Sequence, residues 1–308
     1  MNYPKLITDN ASTIIFNGQE WINSVKGIKT EMSEKSLKII ISSHKSSDDP
    51  VTIVLSATKK YPSVIIETHK NSQAKVNLFF AIRNQLDISL DLSVKENSSL
   101  QLNEYYYGLI KTQTKMMKRV LLKNQSTLSM NSGYFTKGQF LVNESVSLIG
   151  NNATYQGNSL VIGHDSDDIQ VTQNVYHKAI LTSSDIQNAI VANDSSKIKF
   201  DIYGTIDKTR EKSRCFQHSK GILLGEKSWI QVDPKLIINE YDVEAGHGAA
   251  IGQINLDEVY YLLSRGLSET QAKRLIIQGY TDPFVARYTH PNQAKFVHKA
   301  ILNKMGGF

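Results

Sequence analysis

Residues 192–200 read ANDSSKIKF. Small polar residues come first, and a strand-forming run follows at once. The same order recurs in KENSSLQL (95–102), KNQSTLSM (123–130) and GEKSWIQV (225–232). Asn, Asp and Ser make local turn bonds with their own backbone, so each motif predicts a turn feeding a new strand. From about Leu37 to Ile238 the chain continues in this manner, with LKIII, VTIVL, SVIIET, KVNLFFAI and LDISLDLSV as clear strands. Two β architectures fit such a run, an antiparallel sandwich or barrel and a parallel solenoid. Asn-Gly and Asp-Gly favour hairpins. Asn17-Gly18 is the sole Asn-Gly, it lies outside the β-region, and Asp-Gly does not occur. The pattern therefore leans towards the solenoid, although the turns are unevenly spaced.

The architecture changes after Gly252. Asn255 is placed to cap a helix with Glu258 at its third position, a capping-box pattern. That helix, LDEVYYLLSR, puts Leu256, Val259, Tyr260 and Leu263 on one face and stops before Gly266. Ser268 and Gln271 repeat the capping pattern for a second helix, with Ala272, Leu275 and Ile276 as its apolar face and Gly279 as its end. Asp282-Pro283 predicts a third start and His290-Pro291 a fourth, running to about Met305. The expected organisation is a short N-terminal segment (1–35), a β-solenoid core (36–252) and a C-terminal helical domain (253–308).

With 308 residues, 40% hydrophobic and 21% charged, the chain has the composition of a folded protein. No basic region followed by an apolar core opens it, and no apolar run reaches the length of a membrane span. The single cysteine, Cys215, excludes an intramolecular disulfide and fits a reducing compartment, so a cytoplasmic location is expected. Part of the net charge of +6 is local: Lys111, Lys115, Lys118, Arg119 and Lys123 have no acid between them, and Tyr105, Tyr106 and Tyr107 are near. Nucleic-acid binding would need those groups on one face. The favoured reading is a solvated strand edge bearing protective lysines.

No phosphate loop, G-x-S-x-G elbow, H-E-x-x-H or C-x-x-C is present, which argues against an enzyme of those types. His247 is the leading candidate for chemistry. It sits in a run of small residues, Ala245-Gly246-His247-Gly248-Ala249-Ala250, expected to form a turn that another backbone or a ligand can approach. A neutral imidazole there could bind a borderline metal, or it could simply fill a tight domain junction. Cys215 and His218 form a second pair. In an extended segment, residues three apart point to opposite faces, so Cys215 reads better as an apolar filler and His218 as a surface histidine. Asp165, Asp167 and Asp168 read as a solvated turn rather than a metal or glycosidase site.

From about Tyr176 to Phe284 the chain resembles the SufB/SufD family of iron–sulfur cluster assembly scaffolds. The resemblance rests on QNAIVANDSSKIKFDIYGTI and on FQHSKGILLGEKSWIQVDPKLIINEYDVEAGHGAAIGQINLDEVYYLLSRGLSETQAKRLIIQGY. It is nearer the SufD branch. Where SufB-like sequences have His-Glu-Ala-Thr, this chain has His247-Gly248-Ala249-Ala250, and His218 stands where they tend to carry a cysteine after the match to Gln217. The resemblance implies a right-handed parallel β-helix followed by helices. It further implies a non-catalytic scaffold with no resident cofactor, working with SufB and the ATPase SufC. A transient iron–sulfur cluster would form where His247 faces SufB, with His218 and Cys215 as weaker ligand candidates. SufC would dock on the helices near Tyr260, Leu263 and Arg265, and a homodimer is implied in the partners' absence. The chain is shorter than typical members at its N-terminal end, where a helical domain is usual. Outside the resemblance, two readings stay open: a β-helical protein that binds or cleaves carbohydrate, and a self-associating structural protein.

Overall fold

The computed structural model describes residues 13–42, 50–56, 62–82, 85–108, 110–288 and 291–305. The strands are β1 (Thr13–Phe16), β2 (Trp21–Ile22), β3 (Ile28–Met32), β4 (Ser36–Ile41), β5 (Val51–Ser56), β6 (Ser63–Thr68) and β7 (Gln73–Ile82). Then come β8 (Leu86–Val94), β9 (Ser99–Gly108), β10 (Thr112–Leu122), β11 (Thr127–Phe135), β12 (Gly138–Leu148) and β13 (Thr154–Gly163). The last are β14 (Asp168–His177), β15 (Ser183–Ala192), β16 (Lys197–Ile206), β17 (Ser213–Leu223), β18 (Trp229–Ile238) and β19 (Val243–Gln253). Three helices follow: α1 (Leu256–Ser264), α2 (Glu269–Val285) and α3 (Pro291–Lys304).

The strands alternate between two sheets. Sheet A has the order β19-β17-β15-β13-β11-β9-β7-β5-β1-β2, and sheet B the order β18-β16-β14-β12-β10-β8-β6-β4-β3. From β4 onward every strand pairing is parallel, so the fold is the β-solenoid expected from the turns. The exceptions close one end: β2 pairs antiparallel with β1, and β3 antiparallel with β4. At the other end β18 and β19 are unpaired edges.

The polar turns are the stacked corners. Asn71, Asn97, Gln125, Asn152, Leu181 and Lys212 all have positive φ, between 54° and 58°. Each N–H in this column donates to a carbonyl of the next coil, as from Asn97 to Asn124 and from Asn152 to Ile180. A left-handed residue turns the chain at each of these corners, which suits Asn but not Leu or Lys, and Asp165 and Asp194 adopt the same conformation at a second corner. Successive corners lie 26, 28, 27, 29 and 31 residues apart, which accounts for the uneven turn spacing.

Along each strand, alternate side chains fill the space between the sheets, including Ile88, Leu102, Met130, Val146, Ile169 and Phe200. His177 closes β14 in this interior. Its Nδ1 lies 2.8 Å from Thr182 Oγ1 and its Nε2 2.9 Å from Ser184 Oγ. Burial pushes the imidazole down from 6.5 to about 4. Between those values the unfolded chain holds the extra proton, so stability falls as pH drops from 7 towards 4, by about 3 kcal/mol in full. Urea unfolding across that range is expected to show the loss, and His177→Gln to flatten it. Equal slopes for the two proteins would refute the assignment.

Helices α2 and α3 pack on the outer face of sheet A, and α1 packs against α2. Phe79, Tyr105, Phe135, Leu160 and Ile222 share one cluster with Ile277, Phe284, Tyr288, Val297 and Ile301. Two polar anchors fix α3: Gln293 bonds Thr52 and Asn77, and Lys304 bonds the Thr136 carbonyl and the buried Asp167. Asp167 also accepts from the backbone N–H groups of Gly138 and His164, at 2.7 and 2.9 Å. The helix boundaries differ from expectation. Gly279 does not end α2, and Asp282-Pro283 does not begin a new helix; Pro283 lies inside α2. Its missing N–H would face the carbonyl of residue 279, and the buried Ile277, Thr281 and Phe284 hold the helix together through that gap. Pro291 begins α3, while His290 lies outside the described residues.

The basic run is also placed differently. Strand β10 is not an edge but lies between β8 and β12, and Lys118 points inward with no solvent exposure. Arg119 pairs with Asp91 on the neighbouring strand, with Nη2 to Oδ2 at 2.7 Å. Tyr105 and Tyr106 are buried on opposite faces of β9.

Candidate functional site

The segment around His247 is a strand, not a turn. It forms the middle of β19, in parallel register with β17, so that Gln217 faces His247 and His218 faces Gly248. Gln217 is fully buried in the interior of the penultimate coil. Side chains paired in register share a face, so His247 occupies the interior position of the final coil. No further coil covers it, and most of β19 is exposed. The structure shows no polar partner for the imidazole among the described residues. Exposed apolar side chains surround this end, with Trp229, Ile237, Tyr241 and Ile251 all at least 40% accessible.

Of the glycines here, Gly246 is crowded by the Phe216 ring, at 3.2 Å from an added Cβ, whereas Gly248 and Gly252 have no such neighbour. Gly246, Gly248 and Gly252 are not among the residues with positive φ. A Cβ on Gly252 would meet nothing within 4 Å, and one on Gly248 only His218 Nδ1, at 3.8 Å. Neither conformation nor packing demands glycine at 248 or 252. An unpaired strand without side chains is what a second backbone needs for close approach. Pro234 lies on β18, the edge of sheet B, where a missing N–H is tolerated.

Cys215 and His218 project from opposite faces of β17, as their spacing predicts, and so form no joint site within the chain. Cys215 is buried against Gly204, where an added Cβ would come within 2.4 Å of its Sγ, and burial pushes the thiol up. His218 is exposed on the outer face. The carboxylates of the HDSDD segment do not act together. Asp167 is spent on Lys304 and two backbone N–H groups, whereas Asp165 lies near His164 and Asp194 on the corner.

The helix α1 follows β19 directly. Asn255 caps it by accepting from Asp257 N at 2.9 Å, whereas the reciprocal capping box forms only at Ser268 and Gln271 of α2. Of the expected apolar face, only Val259 is buried; Leu256 is 60% and Tyr260 65% exposed, and Leu263 is half-buried. On α2 the face is rotated as well, with Ala272 and Ile277 buried and Leu275 exposed. Tyr261, Leu262 and Ile276 line a shallow hollow of about 420 Å³ with Asp257 and Glu258. Arg265 lies over the Tyr261 ring, 5.1 Å from its centroid. The apolar periodicity was legible in the sequence, but whether that face met the solenoid or solvent was not.

Among the described residues, no helix is long and apolar enough to cross a membrane. The family model for the SUF system FeS cluster assembly SufBD core domain matches residues 52–280. The iron–sulfur cluster assembly protein SufD of Bacillus subtilis is 29% identical over 50% of this chain and 35% of its own length. The SufD protein of Escherichia coli is 24% identical over 53% of this chain and 38% of its own length. The chain therefore spans little more than a third of those two relatives. A SufBD family protein of Pyrococcus horikoshii is 24% identical over 89% of this chain and 88% of its own length.

Proposed function

Because this chain belongs to the SufBD family of iron–sulfur cluster assembly proteins, we propose that it is a non-catalytic scaffold that completes a cluster-assembly site together with a SufB subunit. The observation that carries this reading is the open end of the solenoid. Strand β19 offers an unpaired edge, two glycines (Gly248 and Gly252) that nothing inside the chain requires, and His247 at an uncovered interior position. SufB pairs along this edge and buries His247 at the junction. The cluster is cargo, held for a time by the imidazole and by SufB ligands. Borderline iron accepts a neutral imidazole nitrogen, and small neighbours leave room for a cluster. His218 lies one residue along the register on the outer face, and Cys215 lies one coil inward, so both stand behind His247 as ligands.

SufC docks on α1 and the adjoining part of α2, where Tyr260, Leu263 and Arg265 lie beside the exposed Leu256 and Leu275. The link to the site is short, because Ile254, whose N–H bonds the Leu223 carbonyl, joins β19 to the α1 cap. Nucleotide-dependent contacts that favour two positions of α1 would move the end of β19. Work in the cytoplasm fits the unpaired cysteine.

The test is His247→Ala in the assembled complex. Loss of a ligand is expected to cost at least the 10–100-fold that loss of a ligand's outer hydrogen-bond partner typically costs. Cluster yield, read by visible absorption after anaerobic loading, should fall by about tenfold or more while SufB and SufC still copurify. Unchanged yield with an intact complex would remove His247 from the site. The second reading is a homodimer through the same edge, favoured by the same exposed apolar residues. Mass analysis of the purified chain with and without SufB separates the two.

A further inference from the structure

A second concavity, of about 590 Å³, lies between the outer face of sheet A and the C-terminal half of α2. Its floor is one level of three strands, because Asn158, Gln187 and His218 stand in register on β13, β15 and β17. Lys220 lies two residues further along β17. The roof is Tyr280, Pro283, Phe284 and Arg287. The volume is that of a small-molecule site, and its walls combine apolar rings with a few polar groups, the usual composition of such sites.

The charge in this cleft has one sign. Lys220 and Arg287 both line it, and no carboxylate does. Arg287 is half-buried, yet its bonds go to neutral acceptors: Nη1 to Asn131 Oδ1 at 2.8 Å and Nε to the Pro283 carbonyl at 3.2 Å. Lys220 and Arg287 have no ion pair among the described residues. A guanidinium withdrawn from water without a counter-charge is costly, and an anion supplies what is missing. The side-chain amides of Asn158 and Gln187 add donors, although Gln187 Nε2 now donates to Asp185, 3.2 Å away and outside the cleft.

Gly279 is an independent sign. It lines the cleft from within α2, a position where glycine weakens a helix. A Cβ there would meet nothing within 4 Å, so helix packing does not require glycine at this position beside the cleft.

We propose that this cleft binds a small organic anion, an apolar or aromatic body carrying a phosphate or a carboxylate. The charged group lies between Lys220 and Arg287, and the body lies against Tyr280, Pro283 and Phe284. The cleft borders β19 at His218, which neighbours Gly248, and neither Lys220, Arg287 nor the apolar wall depends on the scaffold reading.

Calorimetric titration of the full chain tests it, with phenyl phosphate, benzoate, inorganic phosphate and benzyl alcohol as probes. Phenyl phosphate or benzoate is expected to saturate one site, and the stronger of the two identifies the head group. Inorganic phosphate should bind more weakly and benzyl alcohol not at all. Lys220→Gln should weaken the aromatic anion about tenfold, as loss of one charge-assisted bond would. Gly279→Leu should abolish binding while the thermal midpoint is kept or raised. The proposal fails if neither aromatic anion saturates, if benzyl alcohol binds as tightly as phenyl phosphate, or if both variants bind unchanged.

Discussion

Lys118→Met is expected to lower the unfolding free energy by about 3–5 kcal/mol, read as a shift of the urea midpoint at constant slope. Lys118 lies in the solenoid interior with no solvent exposure. Its ammonium bonds Glu104, donates to the Tyr134 hydroxyl at 2.9 Å and to Ser132 Oγ at 3.2 Å, and lies 3.6 Å from Glu144. Ser132 also donates to Glu104, and Tyr155 donates to Glu144, both at 2.9 Å. Burial opposes the charge on Lys118, but Glu104, the tyrosines and Glu144 outweigh it and hold the ammonium above its ordinary range. Burial also pushes the Glu144 carboxyl up, against the pull of Lys118. One cation thus serves two carboxylates away from water.

Removing that cation strands the acids, which is why breaking a buried pair costs more than replacing all of it. Glu104→Gln and Glu144→Gln combined with Lys118→Met are therefore expected to recover most of the loss. In the single variant the stranded carboxyls bind protons more readily folded than unfolded, so its deficit should narrow as pH falls from 7 towards 5. A loss below about 1 kcal/mol would show that the charge contributes little to stability.

The other large effect is expected at β19. Lysines at both Gly248 and Gly252 should leave the isolated chain folded, because neither Cβ meets a close neighbour. Charged side chains on an edge strand are a known barrier to strand pairing. The proposed association with SufB should weaken by about 100-fold, equivalent to ~2.7 kcal/mol, as two bulky cations are forced into a closing interface. Copurification and sedimentation measure the loss, and an unchanged thermal midpoint of the chain alone serves as control. Full association with both lysines in place would mean that the partner does not pair along β19.

The sequence made the corners legible because Asn, Asp and Ser announce turns chemically. It concealed the repeat because the coils differ in length and because Leu181 and Lys212 occupy corners that Asn occupies elsewhere. Its charge alone puts Lys118 on the surface, whereas its parity puts it inside. Thr114, Met116, Lys118, Val120 and Leu122 form the inward set of β10, and that two-residue period was available. Its partners were not, since Glu104 and Glu144 come from other strands. Likewise, Gly279 and Pro283 are both helix breakers, and only the packed neighbours of α2 explain its continuity. His247 stands out in the sequence by its small neighbours, and the structure places it on the exposed end strand rather than in a turn. Its exposure depends on which coil comes last, which local composition does not encode.

The two ends of the solenoid are unlike, and this sets a limit on assembly. Antiparallel β2 and β3 blunt one end, while β18 and β19 leave the other receptive. If both ends accepted strands, chains could add head to tail without stopping and would grow into fibres. Among the described residues β2 and β3 are short, of two and five residues, and the long exposed edge lies at β18 and β19, which would give each molecule one valence. Two such ends that meet face to face consume each other, and the product has none left to extend.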